Sequence, residues 1–281
     1  MERFIYWCGF LCVINVVWRL FVMVDVESVG VPVKGFVDGK IFYDGSLVSA
    51  LEECSGEHRA LFMSELVDAR ILSDEGSVFW QKGFNSQSVV VTGRTKGGSA
   101  VVVYGHVPSY FSDPANIRRS KERGLEDGAG YFPQKEFDRL LDLEDSKGVF
   151  VVDYERLKSS VSGVIGVSEA LDHPMVVPFL GGQERAELYL RKHEPVVGSR
   201  IGVYHVDDLR DTPVGRLLFV NYYNGNGNLD GDDNLYDVGR FVGVSRRTEG
   251  AQKILEAKIV DALEQGSSFE YNGRLYAPVV K

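Results

Sequence analysis

Two short runs of β-branched residues are joined by a glycine turn in the first half of the chain. They are SVVVT, from Ser88 to Thr92, and AVVVYGHV, from Ala100 to Val107, with Lys96-Gly97-Gly98 between them. Apolar runs of this length, bounded by glycine turns, are typical of β-hairpins. Asn272-Gly273 gives a similar turn signal near the C-terminus, and 248–266 has the apolar spacing of a helix. The sequence therefore predicts an α+β fold with mixed, mostly antiparallel strands.

The charge balance limits the kinds of partner that the chain can have. Its 281 residues carry a formal net charge of −9, with 44% hydrophobic and 25% charged residues, which is an ordinary globular composition. An acidic surface repels phosphate backbones, so we expect no nucleic-acid partner. The three cysteines, Cys8, Cys12 and Cys54, are too few for a disulfide framework. We therefore expect the protein to fold without disulfide bridges.

The N-terminal segment is apolar from Phe4 to Val24, which is nearly long enough to span a bilayer, although Asn15 and Arg19 interrupt it. Three interpretations of residues 1–26 stay open. The segment is a membrane anchor, a buried element of the fold, or translated upstream sequence that precedes a true start at Met23. The expected location is accordingly cytoplasmic or surface-displayed, with an N-terminal membrane anchor as one alternative.

A stretch rich in glycine and charged residues, 112–130, is the best candidate for an internal boundary. It divides the remaining chain into an α+β N-terminal part, 27–130, and a second part, 131–281. We expect the second part to carry the ligand-binding surface.

The segment NYYNGNGNLDGDDNLYD, from Asn221 to Asp237, consists almost entirely of Asn, Asp, Tyr and Gly. Apolar runs rich in β-branched residues flank it, so we expect a loop between strands and not a linker. Tyrosine provides a large contact area at a low entropy cost, while Asn, Asp and Gly provide adaptable hydrogen bonds. This composition on a rigid framework is typical of a ligand-binding surface, although a plain solvated loop has a similar composition.

Part of the same segment matches the pattern of a calcium-binding EF-hand loop. The match begins at Asn226, which takes the first position of the loop, and Gly231 takes the sixth. Oxygen-bearing side chains stand at the first, third, fifth, seventh and twelfth positions: Asn226, Asn228, Asp230, Asp232 and Asp237. The match departs from the pattern because Asn replaces the first carboxylate and Asp233 occupies the normally apolar eighth position. We therefore expect no cofactor, and calcium remains an alternative.

A second segment carries a resemblance to a known family. DHPMVVPFLGGQERAELYLRKH, 172–193, predicts an extended HPMVVPF followed by a helix with Ala186, Tyr189 and Leu190 on one side. Together with RLLFVN and the Arg240-Phe241 pair, it resembles formylglycine-generating-enzyme-like proteins of the C-type lectin fold. The resemblance implies a C-type-lectin-like C-terminal half. Enzymes of that family hold copper with a pair of cysteines, and the matching region has none, so their oxidase chemistry is not implied.

Within that fold, the segment 221–237 is similar to variable proteins that are diversified by retroelements. In these proteins an error-prone reverse transcriptase randomises adenines in AAC codons, and the resulting residues lie on a fixed scaffold. The resemblance implies that the ligand, a protein or a carbohydrate, contacts a set of varied positions. This set comprises Asn221, Tyr222, Tyr223, Asn224, Asn226, Asn228, Asp230, Asp232, Asp233, Asn234, Tyr236 and Asp237. Leu229 and Leu235 are expected to be fixed apolar anchors, and Arg240 is expected to support the loop from the neighbouring strand.

An enzyme is the alternative from another functional class. His205 lies in the sequence YHVDD, directly before Asp207 and Asp208, and a histidine beside carboxylates can act as a general base in a hydrolase. No H-E-x-x-H, G-x-S-x-G or P-loop motif accompanies it. We therefore expect a ligand-binding protein without catalytic residues.

Overall fold

The computed structural model describes residues 25–29, 39–144, 148–223, 226–245, 269–271 and 274–276. The apolar segment 4–24, the predicted helix 248–266 and the turn at 272–273 lie outside these residues. The helices are α1 (Leu47–Glu57), α2 (Met63–Leu72), α3 (Val78–Gln81), α4 (Pro114–Arg123), α5 (Gln134–Leu141), α6 (Tyr154–Lys158), α7 (Val176–Leu180) and α8 (Gln183–Val196). No helix in this described part is long and apolar enough to cross a bilayer.

The strands confirm the predicted α+β class with mostly antiparallel pairing. They are β1 (Asp25–Val29), β2 (Gly39–Asp44), β3 (His58–Ala60), β4 (Phe84–Arg94), β5 (Ala100–Gly105), β6 (Gly130–Tyr131), β7 (Val149–Asp153), β8 (Gly163–Gly166), β9 (Arg200–Tyr204), β10 (Val214–Tyr223), β11 (Asn226–Asp230), β12 (Gly239–Ser245), β13 (Phe269–Tyr271) and β14 (Arg274–Tyr276).

Twelve of the strands form one sheet, whose main path runs β1-β2-β12-β4-β10-β11-β9-β8. Two pairs in it are parallel, β11 with β9 and β12 with β4. The central strand β4 pairs with β5, β10 and β12, so the sheet joins strands from before and after residue 130. The division of the chain at residue 130 stays a prediction.

The hairpin predicted from the two valine runs is present. β4 and β5 pair antiparallel, and the amide of Thr95 donates to the carbonyl of Ser99 at 2.9 Å to close the turn. Because side chains alternate across a strand, Val90 and Val102 enter one apolar cluster, while Val89 enters a second cluster on the opposite face. Both faces of the sheet centre are therefore buried, which explains the continuous apolar runs in the sequence.

The segment 172–193 gives one confirmed and one wrong prediction. Helix α8 buries Ala186, Tyr189 and Leu190, as the spacing predicts. The preceding HPMVVPF is not extended, because it contains helix α7, which ends at Gly181 with φ +83°. Valine has a weak preference for strands. Helix α7 nevertheless forms, because it buries one of its sides in the first apolar cluster, and this burial outweighs the preference.

Candidate functional site

The segment predicted to be one loop between strands is largely a hairpin. β10 continues to Tyr223, β11 covers Asn226–Asp230, and a loop, 231–238, then leads to β12. Asn and Gly have low strand propensity, but β11 pairs with β10 on one side and with β9 on the other, so its backbone groups are satisfied by the sheet. We call 231–238 the rim loop.

The hairpin has a core side and an outer face. Val220 and Leu229 are cross-strand partners, and both are fully buried in the first apolar cluster. The alternate residues point the other way, and all are half-buried. This outer face consists of Tyr204, Phe219, Asn221, Asn228 and Asp230. The burial of Leu229 confirms its predicted role as an apolar anchor.

Two glycines keep the outer face flat. A Cβ at Gly83 would lie 2.6 Å from Oδ1 of Asn221, and a Cβ at Gly202 would clash with the side chain of Asn228. Glycine at these positions lets both carboxamides lie against the neighbouring backbone. Asn221 and Asn228 are themselves cross-strand partners, so they stand side by side on the face.

The main chain of the rim loop is fixed by three separate parts of the scaffold. The amide of Gly231 donates to the carbonyl of Tyr204 at 2.8 Å, and the amide of Leu235 donates to the carbonyl of Gly128 at 3.0 Å. The amide of Leu47 donates to the carbonyl of Asp237, also at 3.0 Å. Leu235 is fully buried, which confirms the second predicted anchor. The loop therefore keeps its shape through backbone groups and one apolar side chain.

The side chains beside this anchor point outward. Tyr236 is 56% exposed, Val238 is 53% exposed, and Asp232 is also exposed. Asn234 packs against Gly128. A glycine is required at position 128 because a Cβ there would clash with the Asn234 carboxamide. The loop thus combines a fixed main chain with exposed side chains at Asp232, Tyr236 and Val238.

A buried ion pair, which the sequence reading missed, lies under the rim loop. Arg216 contacts Asp208 with Nη1 to Oδ2 at 2.5 Å, and both side chains are almost completely buried. Arg216 also donates from Nε to the carbonyl of Asp232 at 3.2 Å and from Nη2 to the carbonyl of Asp127. An arginine inside the apolar run VGRLLFV is the sequence signal that could have revealed it, because a buried arginine requires partners.

Asn85 connects the rim loop to the two neighbouring strands. Its Nδ2 donates to Oδ2 of Asp233 at 3.0 Å, and its Oδ1 accepts from the amide of Arg240 at 2.8 Å. The Arg240 guanidinium donates to the carbonyl of Gly83 at 3.3 Å and lies 4.4 Å from the ring centre of Tyr43. Asp233 and Arg240 are therefore brought together at the edge of the outer face.

Burial, together with neighbouring carboxylates, raises the pKa of two aspartates in this region, Asp230 and Asp233. Burial, with Asp232 and Asp233 nearby, raises the pKa of Asp230 to about 8. Burial, with Asp237 as the strongest charged neighbour, raises the pKa of Asp233 to about 7. The group is therefore an electrostatically unfavourable cluster in the unliganded protein.

The remaining predicted positions lie at the margins. Tyr222 follows Val220 on the core side of β10, but it lies where the core ends and is 38% exposed. Tyr223 is the last residue of β10 and Asn226 the first of β11. Asn224 lies outside the described residues. The structure thus gathers most of the predicted set on the outer face and the rim loop.

The proposed calcium ligands do not form an EF-hand loop. Asn226–Asp230 is a paired strand, whose alternate side chains are spaced roughly 7 Å apart, whereas EF-hand ligands wrap around one ion. Within the described residues, no group of three or more His, Cys, Asp and Glu side chains could hold a metal ion. Calcium binding stays a prediction.

The predicted pairing of His205 with Asp207 or Asp208 is not formed. The ring nitrogens of His205 contact the carbonyls of Val206 at 3.1 Å and Ser160 at 3.4 Å, and Asp208 is held by Arg216. Asp207 is exposed. Asp208 is therefore bound to Arg216 and not to His205.

A solved structure, described as the accommodation of massive sequence variation in Nanoarchaeota by the C-type lectin fold, is similar to this chain with a TM-score of 0.69. The sequences are 50% identical, and the match covers 73% of this chain and 97% of that chain. No protein-family model and no curated protein matches the chain. The finer likeness to formylglycine-generating-enzyme-like proteins stays a prediction. The match covers more of the chain than 131–281 contains, so the similarity extends beyond its C-terminal half.

Proposed function

The chain belongs to the C-type-lectin-fold variable proteins, and from this membership we propose that it binds a protein or carbohydrate ligand through the outer face and the rim loop. In this proposal the varied positions are those of the segment 221–237, and Arg240 supports them from β12. The protein performs no chemistry on its ligand.

One observation carries the proposal: the main chain of the rim loop is held by its own backbone groups and by buried Leu235, while the side chains of Asp232 and Tyr236 are exposed. Its three scaffold hydrogen bonds join main-chain groups, and Leu235 is buried beneath them. Asp232 and Tyr236 can therefore change without altering the main chain. A binding surface that tolerates many sequences needs this separation of a rigid support from adaptable contacts.

A pair of randomised libraries tests the proposal. The first library varies Asn221, Asn228, Asp232 and Tyr236, and the matched control varies an equal number of inward positions, Arg216, Val220, Leu229 and Leu235. Both are displayed on yeast, sorted for folded protein by protease resistance, and then panned on immobilised ubiquitin. We expect most members of the first library to fold and some to bind ubiquitin, while most control members unfold. Equal loss of folding in the two libraries would contradict the proposal.

The gene itself offers a second test of the diversification. If positions in 221–237 are varied by a retroelement, their codons are mostly NNC triplets, and a near-identical copy with AAC codons lies close by in the genome. Ordinary mixed codons without such a copy would remove diversification from the proposal, while ligand binding would still depend on the library result.

A further inference from the structure

We propose that the β10–β11 hairpin rests on a buried histidine that displaces it in acid, so that the outer face is intact at neutral pH and lost on acidification. The inference rests on the proposed function, because it names how the same site is regulated. The histidine is His193, in the last turn of α8.

His193 lies directly beneath β11. Its side chain is fully buried, and a Cβ at Gly227 would lie 2.5 Å from its Nε2, so the glycine lets the ring approach the backbone of the strand. Gly227 is the partner of Tyr222 on β10 and of Ile201 on β9. The ring therefore contacts the strand pairing that holds β11 in the sheet.

The surroundings of the ring suit a neutral histidine and not a charged one. Within the described residues, neither ring nitrogen of His193 has a hydrogen-bond partner. The rings of Trp80 and Tyr189 lie around it, with centres 6.4 Å and 5.9 Å from its own. Protonation would add a buried charge and a second N–H donor in a place that offers no acceptor.

A second cation lies in the same layer. Arg70 is 1% exposed, and its guanidinium donates to the hydroxyl of Tyr189 at 3.0 Å and to the carbonyls of Lys82 at 3.1 Å and Val220 at 3.4 Å. None of these acceptors is a carboxylate, so Arg70 has no counter-charge among the described residues. Through Val220 it is bonded to β10, just as His193 contacts β11.

The groups that face His193 all favour the neutral ring or have little effect on it. Burial, followed by the charge of Arg70, lowers the pKa of His193 to about 4. The backbone of Gly198 opposes both effects, but it lies outside hydrogen-bonding geometry with the ring. The other elements packed against the ring contribute Tyr189 from α8, Trp80 from α3 and a glycine from β11, and none of these carries a charge.

Acid therefore acts on the support of the hairpin. Because the pKa of His193 lies below its ordinary value of 6.5, the folded state loses stability as the pH falls from about 6.5 to about 4. The protonated ring would place two positive charges, on His193 and Arg70, beneath the two strands that they contact. Displacement of the hairpin admits water to both charges and carries the outer face with it.

Hydrogen exchange of the full chain, measured by mass spectrometry at about pH 7.5 and about pH 4.5 and corrected for the intrinsic pH dependence of exchange, tests the inference. Peptides from β10 and β11 are compared with peptides from β5. His193→Gln is the test variant. His106→Gln is the matched control, because burial also lowers the pKa of His106 to about 4, but its ring nitrogens contact Ser88 and Pro178, away from the hairpin.

We expect acid to increase the exchange of β10 and β11 roughly 50-fold more than that of β5, as the lowered pKa of His193 implies. His193→Gln should abolish this difference and His106→Gln should keep it. Equal increases in the hairpin and in β5, or a difference that survives His193→Gln, would overturn the inference.

A second measurement on the wild type does not depend on a folded variant. In an NMR titration, with the His193 ring protons assigned through their contacts with Trp80, protonation of the ring must coincide with loss of protection of the hairpin amides. Protonation without that loss would also overturn the inference. Neither readout needs a ligand, so the display libraries decide the proposed function separately.

Discussion

At the scale of single residues, Arg216 and the carboxylates of the rim loop have opposite energetic roles. Arg216 is buried with Asp208 and binds two backbone carbonyls, so it fixes the main chain from below. Within the described residues the carboxylates above it form no ion pair, and their mutual repulsion adds to the effect of burial on the pKa of Asp230 and Asp233. The loop is therefore supported from below by the paired Arg216, while the carboxylates above it form no ion pair within the described residues. Each of these two features gives a prediction.

The first prediction concerns the buried ion pair. Arg216→Met leaves Asp208 buried without a counter-charge, so we expect a loss of about 3–5 kcal/mol in the free energy of unfolding, measured by urea denaturation. Arg210→Met is the control, because its partners are largely exposed, and should cost less than about 1 kcal/mol. Adding Asp208→Leu to Arg216→Met should recover part of the loss. Equal effects of the two arginine substitutions would contradict this account.

The second prediction concerns the pH dependence of stability. The pKa of Asp230 is raised to about 8 in the folded protein, from an ordinary value of 3.8. The folded state therefore binds this proton more tightly, and stability falls as the pH rises from about 4 to about 8. Asp230→Asn removes that contribution.

We expect the Asp230→Asn protein to match the wild type near pH 4 and to exceed its free energy of unfolding by about 2 kcal/mol near pH 8.5, after discounting for solvent at this half-buried group. Urea denaturation across the pH range measures the difference. Asp211→Asn, at an exposed position, is the control and should leave the pH profile unchanged. A variant with the same pH slope as the wild type would disprove the assignment to Asp230.

At the scale of elements, the β10–β11 hairpin and the rim loop share one construction. In both, apolar side chains face the core and polar side chains face outward, although the hairpin does this through strand alternation and the loop through a single buried leucine. The resemblance to diversified variable proteins implied the two apolar anchors, Leu229 and Leu235, and both are buried. The sequence did not predict that β11 is a strand, because the pairing with β9 that stabilises it joins residues distant in the chain.

Adjacent residues of the rim loop provide the third prediction. Leu235→Ala leaves a cavity in the second apolar cluster, so we expect a loss of about 2–4 kcal/mol in the free energy of unfolding. Tyr236→Ala, one residue later at an exposed position, should change it by less than about 0.5 kcal/mol. Both values come from chemical denaturation. If the tyrosine substitution were the more damaging, the loop could not be held as described.

At the scale of the whole molecule, one twelve-stranded sheet connects the proposed binding surface to both apolar clusters. β4 is its centre, and both clusters pack against it, so the half-buried outer face continues the face that the second cluster buries elsewhere. This continuity makes the surface rigid through strand pairing.

The fourth prediction follows from that rigidity. Because β11 is held by strand pairing on both sides, we expect the melting temperature to be the same after treatment with a chelator and after addition of calcium. A metal that binds only the folded state must raise the midpoint. An increase with calcium that Asp237→Asn abolishes would instead support the EF-hand alternative, and differential scanning fluorimetry measures either outcome.

The sequence by itself determined the class of fold, the β4–β5 hairpin and helix α8. These features depend on neighbours along the chain, and periodicity and turn residues record such local preferences. Only the tertiary structure decided that HPMVVPF contains a helix, that β11 is a strand, that Arg216 binds Asp208, and that Asn85 joins Asp233 to Arg240. Each of these depends on contacts between residues far apart in sequence, whose energies no local pattern contains.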